Sequence, residues 1–397
     1  MMSPNQRTHI DERVLELLSH IVAMPTESTT PNRVLIEWAA DHLQTFGATT
    51  LIIDGPEGRA NLLASIGPGV SGGLLLSGHT DMVPAGSGWA TDPYSLSIAG
   101  ENLVGRGTAD MKGFIACVLA AVERLDSAEL TAPLHIALSY DEEIGCVGVR
   151  GLLQHLADHE RNQYVRPNLV VIGEPTMMRP RHAHLGKVAY QVSFTAQAGH
   201  SSLSPFLPSA ISAAARIIAA LEAIAAAHLP GASRNDAGEA NAEVTVNVGS
   251  INGGAALNVL APQCEITFEM RHSAAHDPNE LLAPLWAAIE TERVALQAVG
   301  GGVDIIEIAR YPALATDQSS PWVRMVERAA DRGASTPLGF GTEGGLFAAV
   351  LGVPVVICGP GDIGVAHKPD EYVSTDQLRA CLAFVSRIIT DVCAGPS

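Results

Sequence analysis

The sequence predicts an α/β fold in two parts: a discontinuous domain with a mainly parallel sheet flanked by helices, and an inserted α+β domain. Short apolar runs alternate with segments of helical period in the first half and again near the C-terminus. The middle of the chain shows strict two-residue alternation instead, the mark of strands with only one face in a core. With 397 residues, 47 % hydrophobic and 17 % charged, the chain can fill two or three such cores.

The first informative segment is Gly67–Gly73 (GPGVSGG). Gly67, Gly69 and Gly72 satisfy GxGxxG, and Gly69, Ser71 and Gly73 satisfy GxSxG. Both motifs need a helix directly after the loop, to hold a pyrophosphate or to form a nucleophile elbow. The apolar run Leu74–Leu76 follows instead, so a tight turn between strands explains both matches. Next, Lys112 to Leu125 places Phe114, Val118, Leu119, Val122 and Leu125 on one helical stripe. The runs Leu74 to Ser77, Leu134 to Ser139 and Leu169 to Ile172 are continuous apolar strands, which implies a sheet covered on both faces. The same alternation returns with a helix at Trp322 to Arg332, a strand at Val353 to Cys358 and a helix at Asp376 to Thr390.

Between these halves, Val188, Tyr190, Val192 and Phe194 alternate with polar or small residues. So do Val244, Val246 and Val248, and then Ile266, Phe268 and Met270. Helical patterns at Pro208 to Ala227 and Asn279 to Ala298, with a fourth strand at Val303 to Ala309, complete a β-α-β-β-α-β unit. The expected division is residues 1–183 and 311–397 for the discontinuous domain and 184–310 for the insert. The polar stretch Gly231 to Ala242 reads as a loop tip within it.

Charge narrows the partners. The chain has 24 basic and 42 acidic residues, a formal net charge of −18, which disfavours nucleic acid and anionic membrane surfaces. Small cationic or zwitterionic substrates and metal cations fit better. The N-terminal segment has no apolar stretch behind a basic start, and Pro208 to His228, interrupted by Arg216 and Glu222, reads as too weakly hydrophobic for a bilayer. Six scattered cysteines without a CxxC pair suggest reduced thiols in a cytoplasmic protein.

The chemistry-bearing residues sit where strands end. Ser77-Gly78-His79-Thr80-Asp81 places an imidazole near a carboxylate that can orient it. In Gly105-Arg106-Gly107-Thr108-Ala109-Asp110, Asp110 either caps the following helix or bridges two metal ions. Asp141-Glu142-Glu143 follows a buried strand; it is a solvated turn, or one acid binds a cation while its neighbour accepts protons. Glu174 ends another strand, and His367 opens the segment His367-Lys368-Pro369-Asp370-Glu371. The set His79, Asp110, Glu143, Glu174 and His367, converging at one sheet edge, suits two Zn²⁺ or Co²⁺ ions.

Taken together, SGHTDMVP, GRGTADMKG, DEE, GEPT, GHSS and HKPDE resemble, in order and spacing, the zinc aminoacylase and carboxypeptidase family. The longer stretches SGHTDMVPAGSGWATDPYSL, RPNLVVIGEPT, RHAHLGK, NVGSINGGAALNV and GTEGG are most similar to its acetylornithine deacetylase branch. The resemblance implies a catalytic di-metal domain with His79 and Glu174 on one ion, Glu143 and His367 on the other, and Asp110 between them. It further implies Asp81 steering His79, Glu142 as general base, and an inserted lid and dimerisation domain forming a homodimer. His200 would support the oxyanion from the partner subunit, and Asn258, Arg271, Gly341 and Thr342 would contact substrate. Three positions depart from the familiar pattern: Leu185 where a Lys is frequent, His272 where a Pro is, and Cys146 in the loop following Glu143. Glu343 is either a contact for a substrate ammonium or a solvated loop acid.

The implied reaction is hydrolysis of an N-acyl amide on a small amino acid, N-acetylornithine first. Succinyl-diaminopimelate desuccinylase and a broader N-acyl-amino-acid amidohydrolase or dipeptidase are the alternatives. A non-catalytic metal-binding protein would have no use for a free Glu142 beside the ligands, and a nicotinamide enzyme would need the helix that Gly67–Gly73 lacks.

Overall fold

The computed structural model describes residues 11–158, 166–228 and 243–394, together with the backbone of 233–234 and 240–241. The chain forms two compact units: Met1–Ala183 with Leu314–Leu338 and Thr342–Ser397, and His184–Ala313 with Gly339–Gly341. The short Gly339–Gly341 stretch therefore groups with the insert, a return that a purely sequential division misses.

In the first unit a mixed sheet runs through the core. Its strands lie in the order Thr49–Asp54, Ala60–Ile66, Leu134–Ser139, Leu74–His79, Leu169–Pro175, Val355–Gly359, Arg181–His184 and Leu314–Ala315. The four central strands, from Leu134–Ser139 to Val355–Gly359, pair in parallel. Antiparallel pairs flank them, with Ala60–Ile66 on one side and Arg181–His184 on the other. Every residue of the strands Leu74–His79, Leu134–Ser139, Leu169–Pro175 and Val355–Gly359 is buried. This explains why they read as unbroken apolar runs.

The helix following the Asp110 loop spans Gly113–Val122, and all ten of its residues are buried. It packs against the helices Glu12–Val22 and Thr375–Ile389 and against the sheet. Its periodicity marks one stripe, but Ala116, Cys117, Ala120 and Ala121 let neighbours approach on the remaining faces as well. The glycine-rich segment before Leu74 is the expected turn between strands. Gly73 has φ +78°, and a Cβ there would lie 1.8 Å from the Pro133 carbonyl oxygen, so only glycine fits.

The second unit is a four-stranded antiparallel sheet in the order Val244–Gly253, Gln263–His272, Gly186–Thr195 and Gly302–Tyr311. Helices Ala210–His228 and Pro278–Gln297 share one core with it through Ala213, Ile217, Leu221, Leu285 and Ile289. Burial alternates along Gln263–His272 as the sequence alternates. The helix Ala210–His228 has mean hydropathy 1.7 over its window and is long and apolar enough to cross a membrane, more apolar than its sequence reading allows. Its buried stripe faces the sheet of its own unit. Most of the loop tip Gly231 to Ala242 lies outside the described residues, as does the start of the N-terminal segment; within the tip, Ser233–Arg234 pairs antiparallel with Ala240–Asn241.

Candidate metal centre

The ends of the parallel strands and their following loops gather the candidate ligands. His79 ends its strand with its ring 1 % exposed, and Nδ1 lies 2.9 Å from the Asp81 carbonyl oxygen and 3.5 Å from Asp81 Oδ1. With Nδ1 so engaged, Nε2 faces Asp110 Oδ1 at 3.1 Å and Glu174 Oε1 at 3.9 Å. The other oxygen of Asp110, Oδ2, lies 3.2 Å from His367 Nε2, and His367 in turn sits 3.0 Å from Glu143 Oε2. Asp110 thus spans two imidazoles, with a carboxylate beyond each.

Among the described residues, two groups have ligand atoms within 4.8 Å of one another: His79 with Asp110 and Glu143, and His79 with Glu142 and Glu174. All five predicted ligands and Glu142 therefore meet at one place. Asp110 is not the helix N-cap, since that helix begins at Gly113 and Lys112 takes the cap position. Its backbone N–H is bound elsewhere, by the Glu371 carboxylate at 3.1 Å.

The three consecutive acids face three ways. Asp141, at φ +53°, accepts the Thr29 N–H at 2.7 Å and pairs with Arg59, which anchors the turn. Glu143 turns to His367, and Glu142 accepts from the Cys146 thiol at 3.3 Å. Asp81 does more than orient His79. Its two oxygens also accept the backbone N–H groups of Glu142 at 3.0 Å and Glu143 at 3.3 Å, and the Ser28 hydroxyl at 2.8 Å. Ser28 carries no motif and was invisible in the sequence. Cys146 showed there only as an oddity of the loop.

Electrostatics follow from burial and crowding. Burial drives the Glu142 carboxyl well above the usual range, aided by Glu143 and Glu343, and Glu174 is raised by burial and by Asp110. Asp110 goes the other way: although burial opposes it, His367 and His79 hold its carboxyl below the ordinary value. His367 is raised to about 10 by Asp110 and Glu143. Carboxylates outnumber imidazoles in this buried cluster, and a mixed nitrogen and oxygen donor set of this kind suits divalent cations such as zinc.

Glu343 is not a solvated loop acid: it is 1 % exposed and accepts the Ser139 hydroxyl at 2.6 Å. Thr342 is buried with its hydroxyl accepting the Gly344 N–H, and Gly341, half-buried, lies against Tyr311 within the second unit. Also in that unit, His200 and Asn258 are exposed, and the Asn258 carbonyl accepts the Ser201 N–H at 3.0 Å. Arg271 and Lys187, cross-strand partners, both bind Glu269, at 3.1 and 2.7 Å. His272 is 5 % exposed and packs over Gly186, where a Cβ would come within 2.7 Å of its ring, so this departure serves the insert core.

The profile of Peptidase family M20/M25/M40 matches residues 75–391, which contain every one of these candidate ligands. The chain belongs to that family. It is a metal-dependent amidohydrolase. It is 33 % identical to the acetylornithine deacetylase of Pasteurella multocida, over 96 % of this chain and 98 % of that one. With the acetylornithine deacetylase of Myxococcus xanthus it shares 34 % identity, over 95 % and 97 % of the two chains. In fold it is similar to an M20 family metallo-carboxypeptidase of Sulfolobus solfataricus, with TM-score 0.75, 17 % identity and coverage of 96 % and 98 %. A tripeptidase of Staphylococcus aureus shows the same architecture, with TM-score 0.73, 18 % identity and coverage of 96 % and 98 %.

Proposed function

We propose that this amidohydrolase deacetylates N2-acetyl-L-ornithine to ornithine and acetate, a step of arginine biosynthesis. The reading rests on the Asp110 carboxylate shared between His79 and His367, 3.1 and 3.2 Å away, in a chain similar over nearly its whole length to acetylornithine deacetylases. His79 and Glu174 would hold one divalent cation and Glu143 and His367 the other, with the Asp110 carboxylate, which faces both imidazoles, serving the two. Zn²⁺ is the proposed resident ion, with Co²⁺ able to replace it. When bound, such ions would make a water acidic and polarise the acyl carbonyl.

The protein's own groups carry the rest. Glu142 accepts the proton of the attacking water and returns it to the leaving amine nitrogen. A carboxyl raised by burial suits both halves of that transfer. The Cys146 thiol holds the Glu142 oxygen, and Asp81 fixes the backbone on which Glu142 and Glu143 stand. His200, supplied by the partner subunit of a homodimer, donates to the oxyanion. Arg271 meets the substrate carboxylate with its planar fork, and Asn258, Gly341 and Thr342 complete the grip. The insert, residues 184–310, acts as lid and dimerisation domain. All six cysteines are unpaired and buried, which fits a reducing, cytoplasmic setting.

The test is amine release from N-acetylornithine, with N-succinyl-diaminopimelate alongside, by protein loaded with Zn²⁺ or Co²⁺. Fast turnover of the acetylated substrate alone is expected. Preference for the succinylated substrate would move the assignment to a desuccinylase. Turnover of neither, with activity on other N-acyl amino acids or dipeptides, would move it to a broader amidohydrolase.

A further inference from the structure

Beneath Asp110 lies an ion pair that the proposed chemistry does not use. Arg106 and Glu371 are each 1 % exposed, and Arg106 Nη1 meets Glu371 Oε2 at 2.6 Å. The guanidinium lies 5.0 Å from the Trp89 ring centroid, and Nη2 reaches the carbonyls of Pro84 and Ala85 at 3.5 and 3.3 Å. Glu371 Oε1 accepts the backbone N–H groups of Ala109 at 2.9 Å and Asp110 at 3.1 Å. The Glu371 carbonyl accepts the Gly105 N–H at 2.9 Å, and the Asp370 side chain accepts the Ala90 N–H at 2.8 Å. Two side chains thus join three loops: the one after His79 and Asp81, the one carrying Asp110, and the one carrying His367.

A buried ion pair is weak evidence for stability, because desolvation offsets much of its attraction and an apolar pair of similar volume packs as well. Its geometry gives it another use. A carboxylate that faces one imidazole with each oxygen needs its backbone fixed in both position and rotation. Glu371 receives the very N–H of Asp110, four residues beyond His367, and Arg106 fixes the plane of Glu371. We propose that Glu371, clamped by Arg106, is the positioning residue for the Asp110 bridge and sets how tightly the second cation is held. The proposal rests on the two-cation reading above.

The experiment titrates Co²⁺ into metal-free full-length protein by calorimetry. Wild type is compared with Glu371→Gln and with Arg106→Met/Glu371→Gln, which leaves no unpaired buried charge and serves where the single variant fails to fold. Outer groups that orient ligands typically contribute about 10–100-fold in metal affinity. The expected result is one cation held as in wild type and the other weakened by about that factor. Turnover should return with excess Co²⁺ while the substrate KM stays unchanged. A pair that only stabilises the fold would lower Tm and leave both affinities alone, and that result overturns the proposal. Wild type binding a single cation would instead remove the two-cation reading. The role of Glu371 would then stand or fall on the variant-to-wild-type affinity ratio for that one ion.

Discussion

Three neighbouring carboxylates at positions 141 to 143 are separated by what each one touches. Asp141 is tied to Thr29 and Arg59, Glu143 faces His367, and the Glu142 carboxylate accepts from a thiol. A group meant to gain and lose a proton must not be bound so firmly that one state dominates, and Glu142 is the member of the three that meets this condition. Glu142→Gln is therefore expected to retain its cations and lose about 10²–10⁴-fold in kcat. Single-turnover assays with metal analysis check this, and near-normal activity would remove Glu142 from the mechanism. Asp81 supports the same turn from below. Asp81→Ala frees the Glu142 and Glu143 backbones together with the His79 ring, and a loss of about 10–100-fold in cation affinity is expected by equilibrium dialysis. His79, Asp110, Glu143, Glu174 and His367 were legible in sequence because each follows a strand or a glycine-rich loop. Ser28 lies in no motif, and Arg106 and Glu371 lie within quoted motifs that gave them no role: their contacts are hydrogen bonds across more than 50 residues of chain.

Among the elements, the strand Leu169–Pro175 shows how packing limits what can precede the candidate ligand Glu174. A Cβ on Gly173 would come within 2.0 Å of the Phe114 ring, in the buried helix Gly113–Val122. Gly173→Ala is expected to cost about 1–3 kcal/mol through overpacking and to disturb Glu174 beside it. Urea denaturation together with cation affinity would show both effects, and wild-type values for both would contradict the close packing. The sequence reading found the strands of both units because their periods differ, continuous where both faces are covered and alternating where one is. It left Asp110 as either a helix cap or a metal bridge, and the structure removes the cap, since the helix begins at Gly113. The chain makes a further turn before Gly113, held by contacts with the His367 loop that no local pattern encodes.

At the level of the whole molecule, buried histidines link stability to pH. Burial lowers His135 to about 4 and, in the second unit, His184 to about 4. Both are neutral in the folded chain, whereas the unfolded chain takes up their protons below about pH 6.5. Their contribution is thus fully present above pH 6.5 and is lost as pH falls from there towards 4. For His135 it reaches about 3 kcal/mol. His135→Gln can retain the bond to Ser65 and lacks the titration, so its stability should fall less steeply than that of wild type over this window. Chemical denaturation at stepped pH measures the difference, and parallel curves would show that His135 does not titrate as placed.

By itself, the sequence determined the class of the sheets and the β-α-β-β-α-β order of the insert, and it named the candidate ligands that the fold brings together. Periodicity and strand-end chemistry are local properties, written within a few residues of one another. The tertiary structure decided which carboxylate faces which imidazole, that Glu343 and Thr342 are buried, and that Arg106 and Glu371 underlie Asp110. Those outcomes depend on where distant loops meet once the sheet is assembled. Their cause is the burial of charge: each acid taken from water must find a donor or a cation, and only the folded chain determines which one lies within reach.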